Sequence, residues 1–288
     1  MPAVQAMILA AGLGTRLLPH TTVLPKPLFP VAGKPVLFRV LDGLQPLRPA
    51  PVVVNCHHLR HLVRAALVDR PGIVLQEEEE LLGTGGALAR ARQHFGGDCL
   101  VVTNADIVHD IDLAGLVVRH LRNDAPVSLV LHDQPPYNKV VVDDDGRVRS
   151  FDGGGPGCLA FTGIHLLDPR VLVRLPDTVP LDVIDFYRQL IAAGVPVQGL
   201  VVRGHHWCDI GTEAALLALH DRLAGDASAA WIDADAEVAA DVVIDRWAVV
   251  GAGCRVGPGA VLRRCILLPG TQVAAGSVVE DRIVSPVG

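Results

Sequence analysis

The sequence predicts an α/β protein in two parts, a doubly wound sheet domain over residues 1–226 and a short left-handed parallel β-helix over residues 227–288. Three observations carry that expectation. Aliphatic runs of strand length alternate with amphipathic stretches of helix length through the first half. Aromatics make up only 4% of a chain that is 50% hydrophobic, so the core must be built from Val, Leu, Ile and Ala, as in parallel sheets covered by helices. From Val238 onward the aliphatics fall six apart.

Taken in order, strand patterns at 4–9, 51–55, 73–76, 99–103 and 127–132 are interleaved with helical patterns at 36–44, 59–68, 86–95 and 113–122. The first, Val4 to Leu9, has the continuous apolar character of a central strand buried on both faces. Ligands of such a sheet are expected at the carboxyl ends of its strands. Between Lys139 and Leu167 shorter strands, broken at Asp144-Asp145-Gly146 and Gly153-Gly154-Gly155-Pro156, suggest an antiparallel insertion. A last helix at 213–223 ends at Gly225. In the tail, Val238, Ile244, Val250, Val256 and Leu262 are six apart, and after a shift of one residue Leu267, Val273 and Val279 resume the period. An ordinary strand alternates every two residues, whereas a hexapeptide period turns each aliphatic into the core of a β-helix.

Composition narrows the function. A formal charge of -6 lacks the basic footprint that nucleic-acid binding needs. No apolar run is long enough to span a bilayer, and the start Met-Pro-Ala-Val-Gln lacks the basic region of a signal peptide, so the protein is expected in the cytoplasm. The six cysteines, at 56, 99, 158, 208, 254 and 265, show no Cys-x-x-Cys spacing and read as reduced structural thiols. His57, His58 and His61 lack a third zinc ligand at suitable spacing and read as a solvent-facing helix start.

The chemistry is concentrated in Leu9-Ala10-Ala11-Gly12-Leu13-Gly14-Thr15-Arg16 and the following Leu24-Pro25-Lys26-Pro27-Leu28. Gly12 and Gly14 free backbone N–H groups to approach a phosphate chain. Arg16 adds a planar bidentate fork and Lys26 a point charge, with prolines restricting the backbone on either side of the lysine. The run fits neither the Walker pattern nor the full dinucleotide fingerprint. A second apolar strand ends in an acid at Val101-Val102-Thr103-Asn104-Ala105-Asp106, and a second acid stands in Trp207-Cys208-Asp209-Ile210-Gly211-Thr212. By position alone either acid could cap the following helix or turn as well as bind a metal.

The Gly-x-Gly-Thr-Arg run with its downstream Pro-Lys-Pro resembles the signature of the sugar-1-phosphate nucleotidylyltransferases, and the resemblance spans nearly the whole chain. It implies a Rossmann-like nucleotidyltransferase domain in which Leu9, Ala11, Gly12, Gly14 and Thr15 line the nucleotide while Arg16 and Lys26 act on the triphosphate. It also implies a magnesium ion (Mg2+) held by Asp106 and Asp209. Related enzymes select the base near the segment Gln76 to Gly86, which points to Gln76, Gly83 and Thr84; Glu77 to Glu79 read as solvated surface. Asn104, Asn138, Thr162, Gly163 and Trp207 are the corresponding sugar-phosphate positions. Ala105 stands where the family has glycine and Leu81 where it usually has proline. Asp152-Gly153-Gly154 replaces the common Glu-Lys-Pro whose lysine grips the sugar phosphate.

The activity implied is transfer of a nucleotidyl group from a nucleoside triphosphate to a sugar 1-phosphate. The look is closest to mannose-1-phosphate guanylyltransferases and their heptose relatives. Uridylyltransferases of an amino sugar such as N-acetylmuramate, thymidylyltransferases of glucose, and a regulatory subunit that only binds nucleotide-sugar are the alternatives. An acyltransferase would need a β-helix histidine, and none follows His220. The β-helix itself suggests a homo-oligomer.

Overall fold

The computed structural model describes residues 2–177, 180–225 and 228–287. The expected domain boundary between residues 226 and 227 lies outside the described residues. The chain forms two compact units, one of residues 1–11, 40–57 and 67–207 and the other of residues 12–39, 58–66 and 208–288.

The first unit is built on a seven-stranded sheet of β1 (Val4–Leu9), β2 (Val52–Cys56), β3 (Ile73–Glu77), β4 (Cys99–Asn104), β5 (Val127–His132), β6 (Ala160–Leu167) and β7 (Val197–Val201), in the order β7-β5-β6-β4-β1-β2-β3. All neighbours pair in parallel except β6, which runs antiparallel to both β4 and β5. The helices follow in chain order as α1 (Val36–Leu44), α2 (Arg60–Leu67), α3 (Gly83–Ala91), α4 (Leu113–Arg122), α5 (Val183–Ala192) and α6 (Glu213–Ala224). Met7, Val53, Leu100, Val102, Leu129 and Leu131 of the strands pack with Leu88 of α3 and Phe186 and Tyr187 of α5 into one apolar cluster. Strands β1, β4 and β5 are buried on both faces, so they are mainly apolar, and the polar Gln5, Thr103, Ser128 and His132 are buried with them.

The strands of residues 139–167 are antiparallel as expected, Val141–Val142 pairing with Val148–Ser150 in a small two-stranded sheet, but β6 runs antiparallel inside the main sheet, between β4 and β5, rather than in the insertion. Helix α3 begins at Gly83, three residues before the expected start, so its first turn contains three glycines that propensity would exclude. Helix α5 and strand β7 have no counterpart among the sequence patterns above. Of the cysteines, Cys56, Cys99, Cys254 and Cys265 are buried, and no disulfide joins any of the six.

The second unit contains α6 and two stacks of parallel strands. One comprises β8 (Ala229–Ile232), β10 (Val243–Val250), β12 (Val261–Leu267) and β14 (Val278–Val284); the other comprises β9 (Glu237–Val238), β11 (Arg255–Val256) and β13 (Gln272–Val273). The register matches the sequence period: Val238 pairs with Val256 and Val256 with Val273, Ile244 with Leu262 and Leu262 with Val279, and Val250 with Leu267. The one-residue shift has a physical origin. Between neighbours paired across β10 and β12, two residues, Arg246 and Trp247, stand opposite the single Arg264, and the corresponding position of β14 is Asp281.

Arg246, Arg264 and Asp281 all have left-handed φ, of 68°, 46° and 52°. Such non-glycine conformations persist only when their surroundings hold them. Here Asp221 of α6 does so: it accepts from Arg264 through both carboxylate oxygens, at 2.9 and 2.6 Å, and from the Trp247 indole at 2.8 Å. Arg264 also contacts Asp281. These hydrogen bonds hold the Asp221 carboxyl below the usual carboxylate range, and Arg264 first among them. A depressed folded-state value contributes stability above the ordinary pKa of about 3.9, and this contribution disappears as pH falls through the folded value. Asp221→Asn is therefore expected to lower the melting temperature at pH 7 and to flatten its decline below about pH 4. Melting curves against pH check this; parallel curves for the two proteins would refute it.

Candidate active site

The cation-bearing chemistry gathers in the second unit. Gly14, with φ +65°, caps a short 3-10 turn, Thr15–Leu17, and so presents Arg16 directly after the glycine turn. Thr21, which is buried, donates from Oγ1 to Gly14 O at 3.2 Å, and a Cβ on Gly14 would lie 2.8 Å from Thr21 Cγ2. Gly12 is exposed and has nothing within 4 Å of where a Cβ would stand. The two glycines thus differ in purpose: Gly14 is required by the fold of the loop, whereas Gly12 leaves an open backbone surface on its outer side.

Lys26 begins a second 3-10 turn, Lys26–Leu28, and its side chain is 9% exposed. Its Nζ lies 3.3 Å from Asp209 Oδ1, while Arg16 Nη2 lies 3.4 Å from Asp209 Oδ2. One carboxylate therefore faces a cation at each oxygen, and Arg16 and Lys26 are the groups here suited to an anion. Gly211 shapes it, because a Cβ there would collide with Arg16 Nη2 and lie 2.8 Å from Asp209 Oδ1. Next to Asp209, burial and then the carboxylate's charge raise the Cys208 thiol to about 11, which keeps it protonated. The Asp209 segment runs into α6, whose N-terminus is capped by Thr212 accepting from Ala215 N at 3.2 Å. The cap is thus Thr212, and Asp209 stays with the cations.

In the first unit the sheet brings the remaining positions to the carboxyl edge of its parallel strands. Leu9 ends β1 and accepts from Ala105 N at 3.0 Å; Ala11 is buried. Asn104 ends β4, and Ala105 and Asp106 form the turn beyond it. Ala105 is fully buried and needs no left-handed φ, so its methyl is accommodated where the family has glycine.

The Gln76 region departs from expectation at one residue. Glu78 is not solvated surface: it is fully buried, its Oε1 accepting from Asn55 Nδ2 at 2.8 Å and Gln76 Nε2 at 3.2 Å. Its backbone carbonyl contacts His57 Nδ1 at 3.0 Å, and Asn55 Oδ1 in turn accepts from Ala10 N at 2.8 Å. Glu78 therefore ties the ends of β1, β2 and β3 together, and Gln76 is oriented by it and by Ala87 O at 3.1 Å. A run of four glutamates hides this, because local charge pattern does not report which member turns inward. His57, and His58 through Thr21 O, are likewise bonded within the protein rather than solvent-facing. His61 is exposed.

The glycines that open α3 have a partner of their own. A Cβ on Gly83, whose φ is +73°, would meet Leu181 O at 2.5 Å, and the N–H groups of Gly85 and Gly86 donate to that same carbonyl. Thr84 Oγ1 accepts from Val183 N at 2.9 Å, at the start of α5. Close approach of the segment before α5 accounts for Gly83 and Gly85.

On the sugar-phosphate side, Gly163 has φ +79° where the β5–β6 register slips, and a Cβ there would lie 2.8 Å from Asn104 Nδ2. The buried Thr162 donates to Val130 O at 2.9 Å and its own carbonyl accepts from Trp207 Nε1 at 2.9 Å, so Thr162 and Trp207 fix each other. Asn138 closes the 133–138 loop by donating to Asp133 Oδ1 and accepting from Gln134 N. The nearness of His205 to Trp207 is plain in the sequence, but sequence reasoning missed His132: its ring lies edge-on to Trp207 at 4.9 Å and stacks on His205 at 5.3 Å. Burial, and then His205, lower His132 to about 4, so it is neutral at physiological pH. His132 Nε2 and His205 Nδ1 are buried without a hydrogen-bond partner among the described residues.

Residues 5–225 match the nucleotidyl transferase family, and residues 227–287 match the GMPPB C-terminal domain. The chain belongs to the nucleotidyl transferase family. A mannose-1-phosphate guanylyltransferase of Mycobacterium tuberculosis is 29% identical over 299 residues, covering 96% of this chain and 83% of its relative. An N-acetylmuramate alpha-1-phosphate uridylyltransferase of Caulobacter vibrioides is 34% identical over 240 residues, covering 76% and 96%. The crystal structure of HddC from Yersinia pseudotuberculosis shares the fold, with a TM-score of 0.65 and 23% identity over 77% of this chain and 100% of the other. Among the described residues no group of three or more His, Cys, Asp or Glu side chains could hold a metal ion, and no helix is long and apolar enough to cross a membrane.

Two substitutions test this geometry within the family's activity. Gly211→Ala should leave the melting temperature nearly unchanged, since the colliding atom ends a flexible side chain, yet lower turnover by about 10-fold or more as Arg16 is displaced. Glu78→Ala should destabilise by about 2–4 kcal/mol in denaturant titration, because it strands Asn55 and Gln76, whereas a surface glutamate would change stability by under about 0.5 kcal/mol.

Proposed function

We propose that this chain transfers a nucleotidyl group from a nucleoside triphosphate to a sugar 1-phosphate, releasing pyrophosphate, with GTP and mannose 1-phosphate or a heptose 1-phosphate as the pair. The convergence of Arg16 and Lys26 on Asp209 beside an open glycine turn carries the reading. Family membership supports it, as does the similarity to mannose-1-phosphate guanylyltransferases over nearly the full chain. The 34% identity to an N-acetylmuramate uridylyltransferase favours a second pairing, UTP with an amino-sugar 1-phosphate.

In this reading a phosphate oxygen of the sugar 1-phosphate attacks the α-phosphorus and pyrophosphate leaves in line. The nucleophile is already ionised, so no side chain needs to act as a base. Arg16 neutralises charge on the triphosphate and the departing pyrophosphate, and Lys26, held in a nearly buried position, adds a fixed point charge. Asp209 keeps both cations oriented before the nucleotide arrives. Gly12, Gly14 and Thr15 offer backbone to the phosphates; Gln76, Gly83 and Thr84 belong to the base-selecting region; Asn104, Asn138, Thr162, Gly163 and Trp207 serve the sugar phosphate.

Asp106 and Asp209 are the carboxylates we assign to Mg2+, on the motif resemblance. The donor chemistry fits a hard cation: Asp209 is partly exposed, and its contacts with Arg16 and Lys26 are longer than the charge-assisted bonds of about 2.8 Å that would resist exchange. When bound, the ion would supply charge neutralisation and polarisation of the phosphate. The strand stacks of the C-terminal part, with their 18- and then 17-residue register steps, support a left-handed β-helix that also offers a surface for homo-oligomer assembly.

Pyrophosphate release should be measured with Mg2+ across the common nucleoside triphosphates and a panel of sugar 1-phosphates. Turnover with one pair, lost in Asp106→Ala and reduced by on the order of 10²-fold or more in Arg16→Ala, is the expected outcome. Nucleotide-sugar binding without turnover on any pair would replace the reading with that of a regulatory subunit.

A further inference from the structure

The segment that carries Lys26 is fastened on both sides to the C-terminal portion of its own unit. Before the lysine, His20 Nδ1 lies 3.1 Å from Ser285 Oγ, and both residues are buried. Burial lowers the His20 pKa, with Glu213 opposing only in part, so the imidazole is neutral and the contact is a neutral buried hydrogen bond. His20 O accepts from Val23 N and Leu24 N, which forms the turn leading into Pro25 and Lys26. The next residue, Thr21, is the one that packs on Gly14. A single turn thus links Ser285 to both the glycine loop and the lysine.

After the lysine, Ala32 N donates to His220 Nε2 at 2.9 Å, and Gly33 lies against Trp231, where a Cβ would stand 3.2 Å from Trp231 Cβ. His220 is itself fixed: its Nδ1 donates to Leu216 O at 2.8 Å, and its ring stacks on Trp247 at 4.9 Å. Trp231 and Trp247 belong to β8 and β10.

We propose that α6, stacked through His220 on Trp247 of the strand stack, and Ser285, which follows β14, form a positioning element of the nucleotide site, setting triphosphate affinity through the Ser285–His20 and His220–Ala32 hydrogen bonds. This rests on the reading of the glycine loop and Lys26 as a triphosphate site. The physical basis is preorganisation. A loop ordered before binding loses little conformational entropy when the ligand arrives; a loop released at either end must be ordered by the ligand, and affinity falls. Ser285 and His220 touch no substrate in this scheme, so they are positioning residues and not catalytic ones.

The test uses the full chain with Ser285→Ala, which deletes the hydroxyl, Ser285→Thr, which keeps it, and Arg263→Ala, whose ion pairs with Asp245 and Glu280 lie within the stack. Binding of GTP with Mg2+, or of whichever common nucleoside triphosphate supports turnover, is read by calorimetry, alongside KM for each substrate and the melting temperature. Ser285→Ala should weaken triphosphate binding by ~5-fold, the scale of one buried hydrogen bond, with KM for the sugar 1-phosphate unchanged. Ser285→Thr should recover most of that loss, and Arg263→Ala should bind triphosphate as the wild type does whatever its melting temperature. Wild-type affinity in Ser285→Ala, or equal weakening in Arg263→Ala, overturns the inference alone. A wild-type protein that binds no triphosphate overturns the inference together with the reading beneath it.

Discussion

Asp209 is the constraint around which the charged chemistry is arranged. Its carboxylate meets Arg16 and Lys26, which are 193 and 183 residues away in the chain. Two cations held near one another repel, and a lysine side chain that is only 9% exposed would be costly without a counter-charge. The intervening acid makes the pairing tolerable and keeps both cations beside an open glycine turn. Everything that holds Asp209 in place, from the Thr212 cap of α6 to the absence of a Cβ at Gly211, therefore also holds the two cations.

The glycines show how the same residue serves different physical ends. Gly14, Gly83 and Gly163 combine a left-handed φ with a neighbour too close for a Cβ, Gly14 within its own loop and the other two between distant segments. At Gly12 the protein leaves open space instead. A motif written only as glycines cannot distinguish internal packing from access, and the loop holding Gly12 and Gly14 contains both. The distinction matters most at α3, where Leu181 O receives the N–H groups of Gly85 and Gly86 and so uses part of the helix N-terminus inside the protein.

Buried polar groups set the remaining geometry. Glu78 joins Asn55 and Gln76 across the ends of neighbouring strands, and Asp221 joins α6 to the left-handed bends of the strand stack. In both places an acid, fully buried at Glu78 and partly exposed at Asp221, is satisfied by several donors, which gives the arrangement one favoured geometry. The histidines follow the same logic from the other side. Burial keeps His132, His165 and His220 neutral, at about 4, 3 and 4, so they act as packed aromatic groups with directional nitrogens rather than as cations.

By itself the sequence determined the alternation of strands and helices, the six-residue period of the tail, and the residue types of the phosphate motif, because each depends on local spacing or on chemistry that side chains carry with them. The strands β1 to β5, helices α1 and α4, and the pairing of Val238 with Val256 and Val273 were all legible in this way. Only the tertiary structure decided that β6 joins the main sheet, that Glu78 turns inward among four glutamates, that Leu181 approaches Gly83 and Gly85, and that His132 stands beside Trp207. Those features depend on contacts between segments tens of residues apart, where burial and hydrogen-bond partners override local propensity, and a linear pattern carries no record of which distant segment will arrive.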